Sequence, residues 1–233
     1  MMDTTMNLSR PRLSASRRNK CQALGLPLYS LGEEVFSSVS HGVSALISVA
    51  SLVLLLIFCE KIPVKVVSTA VYGAMMVVLF AASAIYHGLG LNQAKVVFRS
   101  IDHCTIFLLI AGTYTPITLV CLGGAQGWAM FGVVWAAALA GIILNAISVE
   151  RFKVFSMICY LAMGWVVVFA MGTLWTNLSG TGFWCLLAGG VLYTVGAVLY
   201  GFGKRVPYMH SVFHLFVLAG SVLHTISVYQ VVK

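Results

Sequence analysis

From His41 to the C-terminus the chain is a near-continuous series of apolar runs of about 20 residues, separated only by short polar or glycine-bearing breaks. Runs of that length match the roughly 30 Å hydrocarbon core of a bilayer, where each backbone N–H and C=O must be satisfied within the protein, so each run has to be a helix. Composition closes off a soluble alternative. With 60% hydrophobic and 9% charged residues, a chain of 233 residues has too few ionisable groups to cover a water-facing surface. The breaks at Glu60-Lys61-Ile62-Pro63, Asn92-Gln93-Ala94-Lys95, Gly123-Gly124-Ala125-Gln126, Glu150-Arg151-Phe152-Lys153, Asn177-Leu178-Ser179-Gly180 and Lys204-Arg205-Val206-Pro207 leave spans at approximately 41–59, 67–89, 101–122, 127–148, 154–175, 181–202 and 209–231. The expected fold is all-α: an integral membrane bundle of seven transmembrane helices over residues 31–233, with successive helices antiparallel. Residues 1–30 are polar and basic, lack the apolar stretch of a secretory signal, and are expected to form a largely disordered tail.

Lysine and arginine set the expected orientation, because loops on the cytoplasmic side carry their excess. Arg10, Arg12, Arg17, Arg18, Lys20, Lys95, Arg99, Arg151, Lys153, Lys204 and Arg205 fall on one side, while Lys61, Lys65 and Lys233 fall on the other. Eleven against three places the N-terminus in the cytoplasm and the C-terminus outside. The net charge of +8 is then mostly topological, and no nucleic-acid partner is expected. The expected partners are membrane lipids: the tail can rest on anionic lipid at about 1 kcal/mol per basic residue.

Ionisable residues inside spans are expensive, which makes them candidates for function. Asp102 is the only aspartate in any span, and the histidines are His41, His87, His103, His210, His214 and His224. With the topology above, His41, His87, Asp102, His210 and His214 all sit at the cytoplasmic ends of their spans. Loop charge and histidine placement are separate observations, and they converge on one membrane depth. His210 and His214 are four residues apart, as are Ser83 and His87, so each pair shares a helix face. Three imidazoles, from His87, His210 and His214, meet the ligand count of a zinc site with an open position. Imidazole also suits iron, copper and nickel, which leaves the identity of the metal open.

Asp102 would then hold or deprotonate water beside the metal, with Ser83 hydrogen-bonding the water or the carboxylate. Arg99, three residues earlier, offers a plainer alternative as an ion-pair partner of Asp102. His103 points about 100° away from Asp102 around the helix and is not expected to be a ligand; His224 lies about 15 Å beyond His214 and cannot share the site. His41 has the right depth, with Glu33 and Glu34 upstream, and its role stays open. The cysteines at 21, 59, 104, 121, 159 and 185 show no metal-binding spacing; Cys59, Cys121 and Cys185 near the outer side leave a disulfide conceivable without fixing a pair. Gly112, Gly141, Gly164, Gly172, Gly189, Gly190 and Gly196 are expected to permit close helix packing. Pro116 is expected to kink the third span above Asp102.

Ser83-x-x-x-His87, Asp102 opening the third span and His210-x-x-x-His214 opening the seventh resemble the signature of the hemolysin III family, which groups with the progestin and adipoQ receptors and the alkaline ceramidases. Glu33-Glu34-Val35-Phe36-Ser37-Ser38-Val39-Ser40-His41-Gly42, Phe98-Arg99-Ser100-Ile101-Asp102-His103-Cys104 and Ala111-Gly112-Thr113-Tyr114-Thr115-Pro116 resemble its bacterial branch. The likeness runs from about residue 28 to the C-terminus. It implies seven helices with the N-terminus inside, in a bacterial cell membrane, and zinc held by His87, His210 and His214 with Asp102 near a bound water. It also implies hydrolysis of lipid amides, by way of the ceramidase and receptor relatives, or cytolysis, by way of the bacterial branch.

Three functional readings follow. One is an intramembrane metal-dependent hydrolase of lipid amides or esters, with Asp102 activating water and a lipid substrate entering sideways between helices. The second is a non-enzymatic sensor with a structural metal, or a pore-forming cytolysin. A monomeric pore is disfavoured, because the apolar cores of spans four to six carry no Asp, Glu, Lys, Arg or His. The third is a transporter, which would place ionisable groups through the full depth of the membrane, where only His224 lies away from the inner half.

Overall fold

The computed structural model describes residues 13–202 and 206–233; Arg10, Arg12, Lys204 and Arg205, counted above for orientation, lie outside them. All regular structure among the described residues is helical: α1 (Ala15–Ala23), α2 (Leu31–Phe58), α3 (Pro63–Gly88), α4 (Gln93–Pro116), α5 (Gly124–Trp165), α6 (Met171–Asn177), α7 (Gly180–Phe202) and α8 (Met209–Val232). A π turn, Ile117–Leu122, follows α4, and a 3-10 turn, Val166–Ala170, joins α5 to α6.

Six of these helical stretches are long and apolar enough to cross a membrane, and one of them, Gly124–Asn177, has 54 residues. At 1.5 Å per residue that stretch is about 80 Å long, more than twice a hydrocarbon core of roughly 30 Å, so it makes two crossings and the total is seven. The two crossings meet at a kink at Ser148, where the backbone is extended (φ −167°, ψ 106°). Ser148 Oγ accepts from Arg151 N at 3.3 Å and caps the helix that follows.

Burial is inverted relative to a water-soluble protein. Ser37, Ser44, Ser48, Ser68, Thr69, Ser211 and Ser227 are buried, while Leu46, Ile143 and Phe169 face outward. Such a surface is compatible with lipid and not with water. α2 packs on α3, α3 on α4, α4 on α5 and α7 on α8, and α2 also meets α8, which closes the ring. On α2 the buried face runs Glu34, Ser37, His41, Ser44, Ser48 at spacings of three and four, and Ser37 Oγ lies 3.0 Å from Ser211 Oγ on α8.

Within the N-terminal tail, the described residues 13–30 include the short helix α1, which is seated against the bundle. Ser14 Oγ caps α1 by accepting from Arg17 N at 3.3 Å, and buried Cys21 and Leu26 pack with Tyr86. Arg99 Nη1 donates to Gly25 O at 2.9 Å, and Arg17 Nε donates to Tyr29 O at 3.1 Å. The polar average of the tail hides a few apolar side chains that suffice to seat one short helix on the end of the bundle. Residues 1–12 lie outside the described set.

At Pro116, where a kink is expected, the structure shows a change of helix type. Lacking an N–H, Pro116 ends the α-helical pattern of α4 and the chain widens into the π turn. The 3-10 turn of the fifth span lies alongside, and Tyr114 braces both: its hydroxyl donates to Gly164 O at 3.0 Å and accepts from Val167 N at 2.8 Å. The glycines divide into two groups. A Cβ at Gly112, Gly141, Gly189 or Gly196 would press on Met75, Phe107, His224 or Phe216 respectively, so these permit close packing as expected. A Cβ at Gly164, Gly172 or Gly190 would meet open space, and Gly164 and Gly190 instead line an internal cavity. The cysteines among the described residues are free thiols.

Candidate metal centre

His87 occupies the last turn of α3, and His210 and His214 the first two turns of α8. The start of α8 is fixed from α2. Ser30 and Glu33 form a reciprocal cap, with Ser30 N donating to Glu33 Oε2 at 2.7 Å and Glu33 N donating to Ser30 Oγ at 3.2 Å. The other oxygen of Glu33 accepts from Tyr208 N at 2.9 Å. Tyr208 sits in the left-handed region (φ 60°), an uncommon backbone state for a bulky residue, and Glu33 holds it there directly before Met209 opens the helix. Gly32 leaves room for the Tyr208 hydroxyl, which a Cβ at that position would meet.

The three histidines converge. His210 Nε2 lies 3.3 Å from His87 Nε2 and 3.1 Å from His214 Nε2, and one ligand atom from each of the three lies within 4.8 Å of the others. Tetrahedral zinc with Zn–N bonds of about 2.05 Å separates its nitrogens by ~3.3 Å, so two edges of the triangle already have ligand spacing. The donor chemistry agrees. Three imidazole nitrogens that face one another compete for protons among themselves, whereas a cation takes all three lone pairs. All three rings are buried, and this cluster can hold a metal ion.

His87 is oriented from behind: its Nδ1 lies 2.8 Å from Glu34 Oε2. Glu34 is buried, and its other oxygen lies 3.1 Å from Lys95 Nζ. Lys95 is itself buried and also donates to Tyr86 O at 2.8 Å and Leu89 O at 3.1 Å, capping the end of α3. Counted as a loop charge in the sequence, Lys95 is thus an interior ion-pair partner. His41 stacks on His214, with ring centroids 3.7 Å apart. Tyr29 stacks on His210 at 4.8 Å. Burial raises the Tyr29 hydroxyl well above its ordinary pKa, so it stays neutral over that ring.

Asp102 is not among the three converging residues. It lines the internal cavity together with Ser83, His210 and His214, and Ser83 is within hydrogen-bonding reach of its carboxylate. The alternative pairing with Arg99 does not form: the Arg99 guanidinium donates to Gly25 O and, at 2.9 Å, to Glu150 Oε2. His103 stays outside the histidine cluster and faces the same cavity. His224 lies apart from the cluster, with Nε2 3.1 Å from Leu186 O.

The cavity has a volume of about 180 Å³ and runs from Asp102, His210 and His214 past Ile106, Leu109 and Leu187 to Phe183 and His224. His214 and His224 are ten residues apart on α8, so its walls extend over about 15 Å. The cavity is mainly apolar, with polar side chains such as Thr113, Ser156, Tyr160 and Thr194 among the residues that line it, and such a site suits a largely apolar molecule.

Sequence reasoning left Glu34 without a role. The signal was present, since Glu34 and His41 are seven residues apart and share the serine-lined face of α2, yet nothing local specifies that Lys95 turns inward to meet it.

The family model described as haemolysin-III related matches residues 29–225. Hemolysin-3 of Bacillus cereus is 40% identical, over 82% of this chain and 88% of that protein. The hemolysin-3 homolog of Bacillus subtilis (strain 168) is 38% identical, over 83% and 92% respectively. The monocyte to macrophage differentiation factor of Homo sapiens is 26% identical, over 69% and 68%. The matched region contains the whole cluster from Glu34 to His214, and the chain is a multi-pass integral membrane protein belonging to the haemolysin-III-related family.

Proposed function

We propose that this protein is an intramembrane zinc-dependent hydrolase of lipid amides or esters, with its metal centre in the cytoplasmic half of a bacterial cell membrane. The observation that carries this reading is the shared cavity: Asp102, Ser83, His210 and His214 line one mainly apolar cavity that suits an acyl chain. His87, His210 and His214 would hold the ion through Nε2. When bound, zinc polarises a carbonyl oxygen and lowers the pKa of water.

The chain's own residues supply the rest. The cavity takes the acyl chain and excludes bulk water, which places the scissile carbonyl beside Asp102. Asp102, on the cavity wall, takes a proton from the attacking water and returns it to the departing amine or alcohol. Ser83 orients that carboxylate. The eleven-to-three bias of basic residues supports the cytoplasmic placement.

A second reading draws on the names of the two Bacillus relatives, which describe hemolysins. In that reading the metal ties α3 to α8 and the protein permeabilises membranes. The apolar lining of the cavity argues against a pore through one copy.

The deciding experiment compares wild type with Asp102→Ala after purification in detergent, measuring metal content and hydrolysis of a panel of lipid amides and esters. The expected result is stoichiometric zinc in both and hydrolysis in wild type alone. Wild type without stoichiometric metal overturns the proposal. Metal without hydrolysis across the panel, together with dye release from liposomes, favours the second reading.

A further inference from the structure

Glu34 has the geometry of a group that works through His87. Both of its oxygens are engaged inside the bundle, one at 2.8 Å from His87 Nδ1 and the other at 3.1 Å from Lys95 Nζ. Glu34 is 5% exposed and Lys95 1%, so neither charge is screened by bulk water. An uncompensated carboxylate at such a position would be strongly disfavoured, and Lys95 supplies the compensation. Lys95 is tied in turn to the end of α3 through Tyr86 O and Leu89 O, so α2, the last turn of α3 and the first turn of α4 are joined through one carboxylate.

The consequence for His87 follows from hydrogen-bond chemistry. An ionised carboxylate only accepts, so the proton between Glu34 and His87 belongs to Nδ1, and Nε2 keeps its lone pair on the side of His210. His210 Nε2 is 3.3 Å from that atom. The other two histidines have no such carboxylate partner among the described residues: His210 Nδ1 makes no hydrogen bond, and His214 has only a backbone interaction with Ser37. One ring of the three is therefore fixed in tautomer by a charged group of the protein, and it is the ring contributed by a different helix from the other two.

We infer that Glu34, neutralised by Lys95, is a positioning residue that presets the His87 Nε2 lone pair for a divalent metal ion and raises the affinity of the three-histidine centre. This inference rests on the metal-binding part of the proposed function and is independent of hydrolysis. Arg17, whose Nη2 lies 3.8 Å from Glu34, adds a weaker, more exposed cation on the same side.

The test measures zinc affinity of the full chain in detergent by chelator competition, for wild type, Glu34→Gln, Glu34→Asp and Lys95→Met, with the melting temperature of each metal-free protein taken in parallel. Removing a carboxylate behind a ligating histidine typically weakens metal binding ~10- to 100-fold, and Glu34→Gln is expected to fall in that range. Glu34→Asp, which keeps the charge, should recover part of the loss, and Lys95→Met should weaken binding less than Glu34→Gln. Cobalt(II) loaded into the same proteins adds a readout of ligand geometry, since its visible absorption bands should shift in Glu34→Gln. A purely structural Glu34 would lower the melting temperature while leaving zinc affinity and the cobalt spectrum of the folded fraction unchanged, and that result overturns the inference. If wild type binds zinc and Glu34→Gln binds it equally well, this inference falls and the proposed function stands. If wild type itself binds no zinc, both fall.

Discussion

At one end of the cavity His87, His210 and His214 turn their Nε2 atoms toward one another, whereas at the other end His224 Nε2 lies 3.1 Å from the carbonyl of Leu186. The surroundings differ in the same sense. The histidine cluster is backed by Glu34 and Lys95, both charged and buried, with Asp102 on the cavity wall. His224 is surrounded by neutral groups: Tyr193 packs edge-on at 5.0 Å and gives its hydroxyl to Ser221 or accepts from it at 2.8 Å, while Tyr72 and Thr225 pair at 2.9 Å. A buried histidine in a membrane helix thus has two stable solutions. It can bond a backbone carbonyl and act as a packing element, or it can join other imidazoles around a point that only a cation satisfies fully.

The largest expected effect separates these two solutions directly. His210→Ala removes the central nitrogen of the cluster and is expected to abolish stoichiometric metal, while His224→Ala leaves it in place; elemental analysis of the purified proteins checks both. Equal metal in the two variants would erase the distinction between the two ends. The next effect is on chemistry at the cluster end. Asp102→Asn is expected to keep the metal and to lower lipid hydrolysis by roughly 10²- to 10⁴-fold, the usual contribution of a positioned acid–base group. Loss of metal in that variant would move Asp102 into the ligand set.

The far end should respond in stability and not in metal content. A Cβ on Gly189 would collide with the His224 ring and approach the Gly220 carbonyl, so Gly189→Ala has nowhere to expand except by displacing α7 from α8. Overpacking of this kind costs about 1–3 kcal/mol. Thermal unfolding in detergent should show the loss, with zinc affinity unchanged.

The contrast between the ends also explains what the sequence could disclose. Length and periodicity of the apolar runs specify helices, because the bilayer leaves the backbone no other choice, and the spacing of His210 and His214 specifies a shared face. Those relations are local. The depth of His87 follows from topology, so the cluster was legible although its members come from helices far apart in the chain. Lys95 was not legible as an interior group, since a lysine beside a break has the same local appearance whether it meets lipid headgroups or a buried Glu34. The seating of α1 escaped for a similar reason: Cys21 and Leu26 are single apolar residues in a polar tail, and only the complementary surface at Tyr86 makes them significant. Gly164 and Gly190 have the sequence appearance of packing residues, because a glycine that lets a helix approach and a glycine that leaves a cavity are identical in sequence.

The smallest effect concerns the aromatic cover on each end. Tyr29 stacks on His210 with the rings inclined by 19°, and Tyr193 meets His224 edge-on at 81°. Aromatic contacts of this kind contribute about 0.5–1.5 kcal/mol beyond the area they bury. If the cluster end is built to hold a ligand and the far end to hold the fold, the same substitution should appear in different observables. Tyr29→Leu keeps the apolar bulk but removes the stacked face from a ligating ring, so zinc should bind about 2- to 10-fold more weakly by chelator competition, with little change in the melting temperature of the metal-free protein. Tyr193→Leu removes the edge contact and strands Ser221 Oγ, so it should lower the melting temperature and leave zinc affinity unaltered. Were Tyr29→Leu to act only on stability, the segment before α2 would be a packing element like Tyr193, and the difference between the two ends would reduce to the three histidines and the charges behind them.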